Sequence, residues 1–362
     1  MSSPANSAQI RVLIVDDSAF MRVSLAQLLN HDPELIVVGS AFDGADALRK
    51  IAHLDPDVVT LDVQMPGLNG LQTLRRIMAE FPRPVLMVSS ATVKDAEATF
   101  DALAAGAFDY VPKQLSAESL EIFHIRDDLI GKIKAAAESH GFNNQQAGRR
   151  KPPRASGSLL RKPFSTPALL AIGVSTGGPK ALQEILPALP ADLPVPILIV
   201  QHMPPGFAAP FAERLNKLCA VSVCQASQGQ AVRPGKVYVA PAGFHMRVDR
   251  LADSTAAIRL SQEAENQLHT PSIDILMQSA AATFHSQTMG IILTGMGSDG
   301  SQGMAAIHRE GGFTVGQDAA TSAVYSMPRA CAEMGILDKI VPLQQIPFEI
   351  LQATHYHQAS AS

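Results

Sequence analysis

The chain has 362 residues, 46% hydrophobic, 17% charged and 5% aromatic, with no tryptophan and a net charge of -4. Such a composition is globular and long enough for two cores, and it offers neither a broad basic footprint nor a ring-rich stacking surface for nucleic acid. No apolar run nears the roughly 18 residues of a membrane span, and the polar Met1 to Gln9 lacks the basic start and apolar stretch of a secretory signal. A soluble, cytoplasmic protein is expected, with no nucleic-acid partner and no membrane insertion. Cys219, Cys224 and Cys331 are odd in number and lack metal-like spacing, which favours buried thiols over disulfides or zinc.

From Ile10 to about Lys134, strand-like apolar runs (Ile10 to Val15, Leu35 to Gly39, Val58 to Leu61, Val85 to Val88, Phe108 to Val111) alternate with stretches such as Ala19 to Leu29 and Leu71 to Met78, where apolar residues recur at helical spacing. Five βα units predict a doubly wound parallel sheet. Asp16 and Asp17 end the first run and Asp62 the third. If those strands are neighbours, three carboxylates converge on one sheet edge, where their repulsion calls for a hard cation such as Mg²⁺. Ser89 and Lys113 close the fourth and fifth runs at the same edge, placed to meet a phosphoryl group on Asp62. Taken singly, each of these residues is an ordinary cap, turn or surface group; the matching strand ends single them out.

His140 to Pro167 lacks periodicity and mixes Asn, Gln, Pro, Ser and Gly with Arg149, Arg150, Lys151, Arg154, Arg161 and Lys162, the composition of a solvated tether. The expected organisation is a first domain at 9–134, a linker at 135–166 and a second α/β domain at 167–356. There the strand and helix alternation resumes at Ala168 and runs to the end. Three runs, Ala168 to Val174, Pro196 to Gln201 and Met289 to Thr294, lead to Ser175, to His202 and to a Gly-Met-Gly-Ser-Asp-Gly loop carrying Asp299. Open α/β sheets bind ligands at such strand ends, and the trio reads as a hydrolase's nucleophile, base and orienting carboxylate.

Gly173-Val174-Ser175-Thr176-Gly177-Gly178-Pro179 is a strand-to-helix turn that lifts Ser175 out and aims the Thr176 and Gly177 amides at the space an oxyanion needs. Its G-x-S-x-G pattern is weak by itself, because phosphate-binding turns share it. His202 stands before the strand-ending Met203-Pro204-Pro205-Gly206; His245 is the competing base, beyond a strand that follows Arg233-Pro234-Gly235 and has an antiparallel reading. Asp299 precedes a helix, where aspartate is also a plain N-cap. The order Ser, His, Asp differs from the Ser, Asp, His of elbow-type hydrolases and points to another fold.

Val-Asp-Asp-Ser at 15–18, Leu-Asp-Val-Gln-Met-Pro-Gly at 61–67, Ser89 and Tyr-Val-Pro-Lys at 110–113 make the first half resemble a two-component receiver domain, which is flavodoxin-like. The resemblance implies Asp62 as phosphoacceptor, adds the Gln64 carbonyl to Asp17 and Asp62 as Mg²⁺ ligands beside Asp16, and makes Ser89, Tyr110 and Lys113 switch residues. Gln114 stands where that family usually has proline.

The second half carries Gly-Val-Ser-Thr-Gly-Gly-Pro at 173–179, Gln-His-Met at 201–203, Val-Ala-Pro-Ala-Gly-Phe-His at 239–245, Thr-Pro-Ser-Ile-Asp at 270–274, Thr-Gly-Met-Gly-Ser-Asp-Gly at 294–300 and Gln-Asp-Ala-Ala-Thr-Ser at 317–322. It resembles the Rossmann-like catalytic domain of chemotaxis-type protein-glutamate methylesterases, and the receiver, linker and esterase order is that family's. This resemblance implies Ser175, His202 and Asp299 as nucleophile, base and orienter, with Thr176 and Met296 joining Gly177 around the oxyanion. It further implies demethylation and glutamine deamidation on methyl-accepting chemoreceptors, a chemotaxis sensor histidine kinase as phosphodonor, a receiver that covers the triad until Asp62 is phosphorylated, and an esterase needing no cofactor. Thr270, in place of an expected arginine, and Ala242 with Phe244 depart from the family's pattern.

Overall fold

The computed structural model describes residues 9–90, 93–113, 121–145, 165–251, 255–262 and 269–356. The chain divides into two compact units, residues 1–154 and 155–362.

The first unit runs β1 (Ile10–Val15), α1 (Ala19–Asn30), β2 (Leu35–Ala41), α2 (Gly44–Leu54), β3 (Val58–Asp62), α3 (Gly70–Glu80), β4 (Val85–Ser89), α4 (Val93–Ala104), β5 (Asp109–Pro112) and α5 (Glu121–Gln145). Its strands lie in the order β2-β1-β3-β4-β5, all parallel, which is the flavodoxin-like order. Helices begin where a short polar side chain takes up an orphan N–H: Asp43 accepts from Asp46 N at 2.7 Å before α2, and Asn69 and Gln72 form a capping box at α3. Val12, Ile14, Val58, Leu86 and Val111 of the sheet pack with Leu129, Ile133 and Ala136 of α5, and each large side chain so buried contributes about 1.5–3 kcal/mol. That stripe, spaced by four and three residues, carries α5 past 134 and into the expected linker. The rest of that linker, 146–164, and Gln114 lie outside the described residues.

The second unit contains β6 (Leu169–Val174), α6 (Gly178–Ile185), β7 (Ile197–Gln201), α7 (Ala208–Leu218), β8 (Ser222–Gln225), β9 (Lys236–Val239), β10 (His245–Arg250), β11 (Ala256–Ser261), α8 (Ile273–Phe284), β12 (Thr288–Ile292), α9 (Ser301–Arg309), β13 (Phe313–Gln317), α10 (Ser326–Glu333), β14 (Lys339–Val341) and α11 (Ile346–Ala353). Seven parallel strands form one sheet in the order β14-β13-β12-β6-β7-β9-β8. The expected alternation of strand and helix is interrupted from β8 to β11, where four strands follow one another. β9 pairs in parallel with β7 and β8, which corrects the antiparallel reading of that segment. β10 and β11 form a separate antiparallel hairpin; in β10, Met246 and Val248 are buried and Arg247 and Asp249 half-buried, the alternation of a strand covered on one face, here by α8. No described helix is long and apolar enough to cross a membrane.

Both sheets reverse their winding at a switch point, between β1 and β3 in the first and between β6 and β12 in the second. Crevices at the carboxyl ends of strands flanking such points are where this architecture binds ligands.

Candidate functional site

In the first unit, carboxylate oxygens of Asp16, Asp17 and Asp62 lie within 4.8 Å of one another. Asp16 and Asp62 are buried and Asp17 is exposed. The Lys113 ammonium sits 2.6 Å from Asp62 and 2.9 Å from Asp16. Burial raises the Asp62 pKa most, Lys113 opposes it and Asp16 adds to it, leaving Asp62 at about 6. A hard-oxygen set of this spacing fits Mg²⁺, whose octahedral ligands stand roughly 3–4 Å apart. Gln64 is exposed; its N–H donates to Asp62 at 3.2 Å and its side chain hydrogen-bonds Asp95.

Ser89, buried at the end of β4, accepts from the Thr99 hydroxyl at 2.9 Å. Tyr110, buried on β5, meets Phe100 of α4 edge-on, with ring centroids 6.5 Å apart, and has the Lys132 ammonium 5.5 Å from its ring centre. Asp16, Asp17, Asp62 and Lys113 therefore form one cluster, Ser89 closes the neighbouring strand, and Tyr110 sits among α4 and α5 side chains.

In the second unit, the ladder continues one residue beyond the strands: Ser175 N donates to Thr294 O at 3.0 Å and His202 N to Val174 O at 3.1 Å. This registers Ser175 and His202 over the central strands. His202 Nδ1 is 3.2 Å from Ser175 Oγ, and His202 Nε2 is 2.8 Å from Asp299 Oδ2. A carboxylate only accepts, so Nε2 carries the proton and Nδ1 presents its lone pair to the serine hydroxyl.

Asp299 also accepts from Ile273 N at 2.8 Å, Asp274 N at 2.9 Å and Ser272 Oγ at 3.1 Å, the first turn of α8. Burial raises its pKa, but the His202 contact and these helix N–H groups outweigh burial and hold it at about 2. Asp299 is thus an anion throughout the neutral range.

Thr176 and Gly177 form the turn ahead of α6; Gly177, at φ +75°, adopts the left-handed backbone that turn requires. A methyl group on Gly295 would stand 2.8 Å from Ser175 Cβ, so the segment leading into Met296 runs against the serine. His245, the competing base, is buried at the start of β10 and its Nδ1 accepts from Ser272 N at 3.3 Å, behind the α8 cap and away from the serine hydroxyl.

Two neighbours were not singled out by sequence. His269 stacks on His202, with ring centroids 4.2 Å apart and 29° between planes. Gln201, 1% exposed, donates from Nε2 to both the Ser175 and the His202 carbonyl oxygens at 2.9 Å. A buried polar residue closing the apolar run Ile-Leu-Ile-Val was the available signal. Gln201→Leu leaves two carbonyls without that donor and is expected to cost about 2 kcal/mol of stability. Urea denaturation of wild type and variant checks this, and an unchanged midpoint would mean that the amide holds neither loop.

Fold and site together define a class: a receiver with an acidic pocket, followed by a parallel α/β hydrolase domain whose central strand ends gather serine, histidine and aspartate. Residues 12–122 match the family model for the response regulator receiver domain, and residues 170–350 that for the CheB methylesterase. The protein-glutamate methylesterase/protein-glutamine glutaminase of Symbiobacterium thermophilum is 46% identical over 95% of this chain and 97% of its own length. One of Oleidesulfovibrio alaskensis is 43% identical over 96% of this chain and 100% of its own. The crystal structure of the Thermotoga maritima CheB methylesterase catalytic domain superposes with a TM-score of 0.50 at 36% identity, covering 52% of this chain and 99% of that one. The chain belongs to the protein-glutamate methylesterase/protein-glutamine glutaminase family, and it is a carboxylic-ester hydrolase with a receiver domain ahead of its catalytic domain.

Proposed function

We propose that this enzyme demethylates glutamate γ-methyl esters and deamidates glutamines on methyl-accepting chemoreceptors, in the cytoplasm and under the control of phosphorylation at Asp62. The observation that carries the reading is the His202 imidazole bridging Ser175 at 3.2 Å and Asp299 at 2.8 Å. Ser175 Oγ attacks the γ-carbonyl carbon as its proton passes to His202 Nδ1, and Asp299 stabilises the imidazolium. The oxyanion faces the amides of Thr176 and Gly177 at the N-terminal end of α6, with the Met296 segment beside them. As the intermediate collapses, His202 returns the proton to the leaving oxygen and methanol departs, or to the leaving nitrogen and ammonia departs. Water, deprotonated by the same imidazole, then cleaves the acyl-serine and restores the glutamate carboxylate.

In the receiver, Asp62 takes the phosphoryl group from a sensor histidine kinase, and Lys113 and Ser89 meet its oxygens. Asp16, Asp17, Asp62 and the Gln64 carbonyl are the groups that would hold Mg²⁺, which when bound offsets carboxylate and phosphoryl charge. Tyr110 is the aromatic switch residue. Phosphorylation at Asp62 raises the rate of the esterase.

The test is methanol release from methylated chemoreceptor membranes by wild type and Ser175→Ala, each with and without a small-molecule phosphodonor and Mg²⁺. Release is expected to rise with phosphodonor in wild type and to fall by at least about 10⁴-fold in the variant. Absence of release from wild type in every condition would overturn the reading.

A further inference from the structure

We propose that Asp274, in the first turn of α8, is a positioning residue for the hydrolytic cluster: it secures the loop bearing Asp299 by capping α9, while Asp299 caps α8 in return. The inference rests on the esterase reading above and adds a residue to it.

Asp299 lies two residues before α9, one position ahead of that helix's N-cap. Here its carboxylate turns to the neighbouring helix and accepts from Ile273 N and Asp274 N. The N-cap of α9 is Gly300, which has no side chain to offer. An orphan donor of α9 is met from α8: Asp274 Oδ1 accepts from Gly303 N at 2.7 Å. The two helices have exchanged their capping carboxylates.

A close approach makes the exchange possible. A methyl group on Gly303 would stand 2.5 Å from Met277 Cβ and 3.2 Å from Asp274 Cα, so α9 lies directly on the first turns of α8. The arrangement has a cost. Burial first, and then the charge of Asp299, push the Asp274 pKa up, against the pull of Gly303 N. Two partly buried carboxylates so close are tolerated because each serves the positive end of the other's helix. The loop between Asp274's grip on α9 and the His202 contact is short. If that grip is lost, Asp299 shifts relative to His202 Nε2, and a displacement of about 1 Å costs on the order of 10²-fold in rate.

The test measures kcat and KM for methanol release from methylated chemoreceptor membranes, using the full-length, phosphodonor-treated enzyme as wild type, Asp274→Ala, Asp274→Glu and Asp274→Asn. Asparagine keeps the acceptor for Gly303 N; glutamate keeps the charge but carries the acceptor out of reach. Expected is a kcat about 10- to 100-fold lower for alanine and glutamate with KM within about twofold, and recovery to within about threefold of wild type for asparagine. A role in bulk stability or helix-end charge alone ranks glutamate above asparagine. Glutamate suits the first turn of a helix, so if the alanine variant fails to fold, the glutamate and asparagine pair decides the matter. Wild-type-like kcat in the glutamate variant, or an asparagine variant as slow as alanine, would overturn the assignment. A wild type that releases no methanol would instead overturn the esterase reading beneath it.

Discussion

Asp299→Asn is expected to lower kcat for methanol release about 10⁴-fold with little change in KM. The carboxylate accepts four hydrogen bonds, two at each oxygen: His202 Nε2 and Ile273 N at Oδ2, Ser272 Oγ and Asp274 N at Oδ1. An amide has one oxygen, so one of these pairs must face an NH₂ group. The orientation that keeps the oxygen on Ser272 and Asp274 turns NH₂ towards His202. The imidazole can then satisfy it only by accepting at Nε2, which places the remaining proton on Nδ1, facing Ser175 Oγ. In that tautomer there is no lone pair to take the serine proton. The rate loss comes from the tautomer, so a variant with wild-type kcat would remove Asp299 from the mechanism.

The same carboxylate has a stability signature. Its folded-state pKa of about 2 lies below the ordinary 3.8, so its contribution of about 2 kcal/mol is fully present above pH ~4 and is lost as pH falls through about 2. Asp299→Asn lacks that contribution at every pH. The gap between its stability and that of wild type, followed by urea denaturation, is expected to close on acidification across that window.

What could be read from sequence divides along physical lines. Fully buried parallel strands must be apolar along their whole length, so β1, β3, β4, β6, β7 and β12 announce themselves as short apolar runs, and residues just beyond them necessarily meet at one sheet edge. That is why Ser175, His202 and Asp299 were legible from strand ends alone, as were Asp16, Asp17 and Asp62. Partners of Asp299 were not legible. A capping carboxylate normally serves its own helix, and nothing local in Gly-Ser-Asp-Gly or Ser-Ile-Asp says that α8 and α9 trade caps across a contact of 25 residues' separation. His245 competed with His202, the preferred base, because each follows an apolar stretch; His245 opens β10, which pairs antiparallel with β11, and its Nδ1 accepts from Ser272 N. The reach of α5 to Gln145 was hidden by the polar composition of its last turns, while Leu129, Ile133 and Ala136 hold its middle on the sheet.

Asp62→Asn is expected to have two opposite effects: the esterase stops responding to phosphodonor, and the metal-free receiver becomes more stable. The first follows from loss of the acceptor oxygen. The second follows from the pocket's own electrostatics. Asp62 is raised from 3.8 to about 6, chiefly by burial, with Asp16 adding to it and Lys113 opposing. For a raised carboxylate, the favourable contribution is complete below pH ~4 and is lost as pH rises through about 6. Against the protonated form, the anion therefore costs the fold about 3 kcal/mol at pH 8. Asparagine removes that charge, and Lys113 keeps Asp16 at 2.9 Å.

In EDTA at pH 8, hydrogen exchange at the β3 and β4 amides of the full chain is expected to be slower in the variant, corresponding to about 1–3 kcal/mol. The difference should shrink below pH 5, where wild-type Asp62 is protonated. It should also shrink in Mg²⁺, because binding to the intact carboxylates stabilises wild type preferentially. A variant that exchanges faster than wild type at pH 8 in EDTA would show that the 2.6 Å contact between Lys113 and Asp62 outweighs burial. The acidic pocket would then be a stabilising ion-pair network rather than a site whose buried carboxylate is costly to ionise.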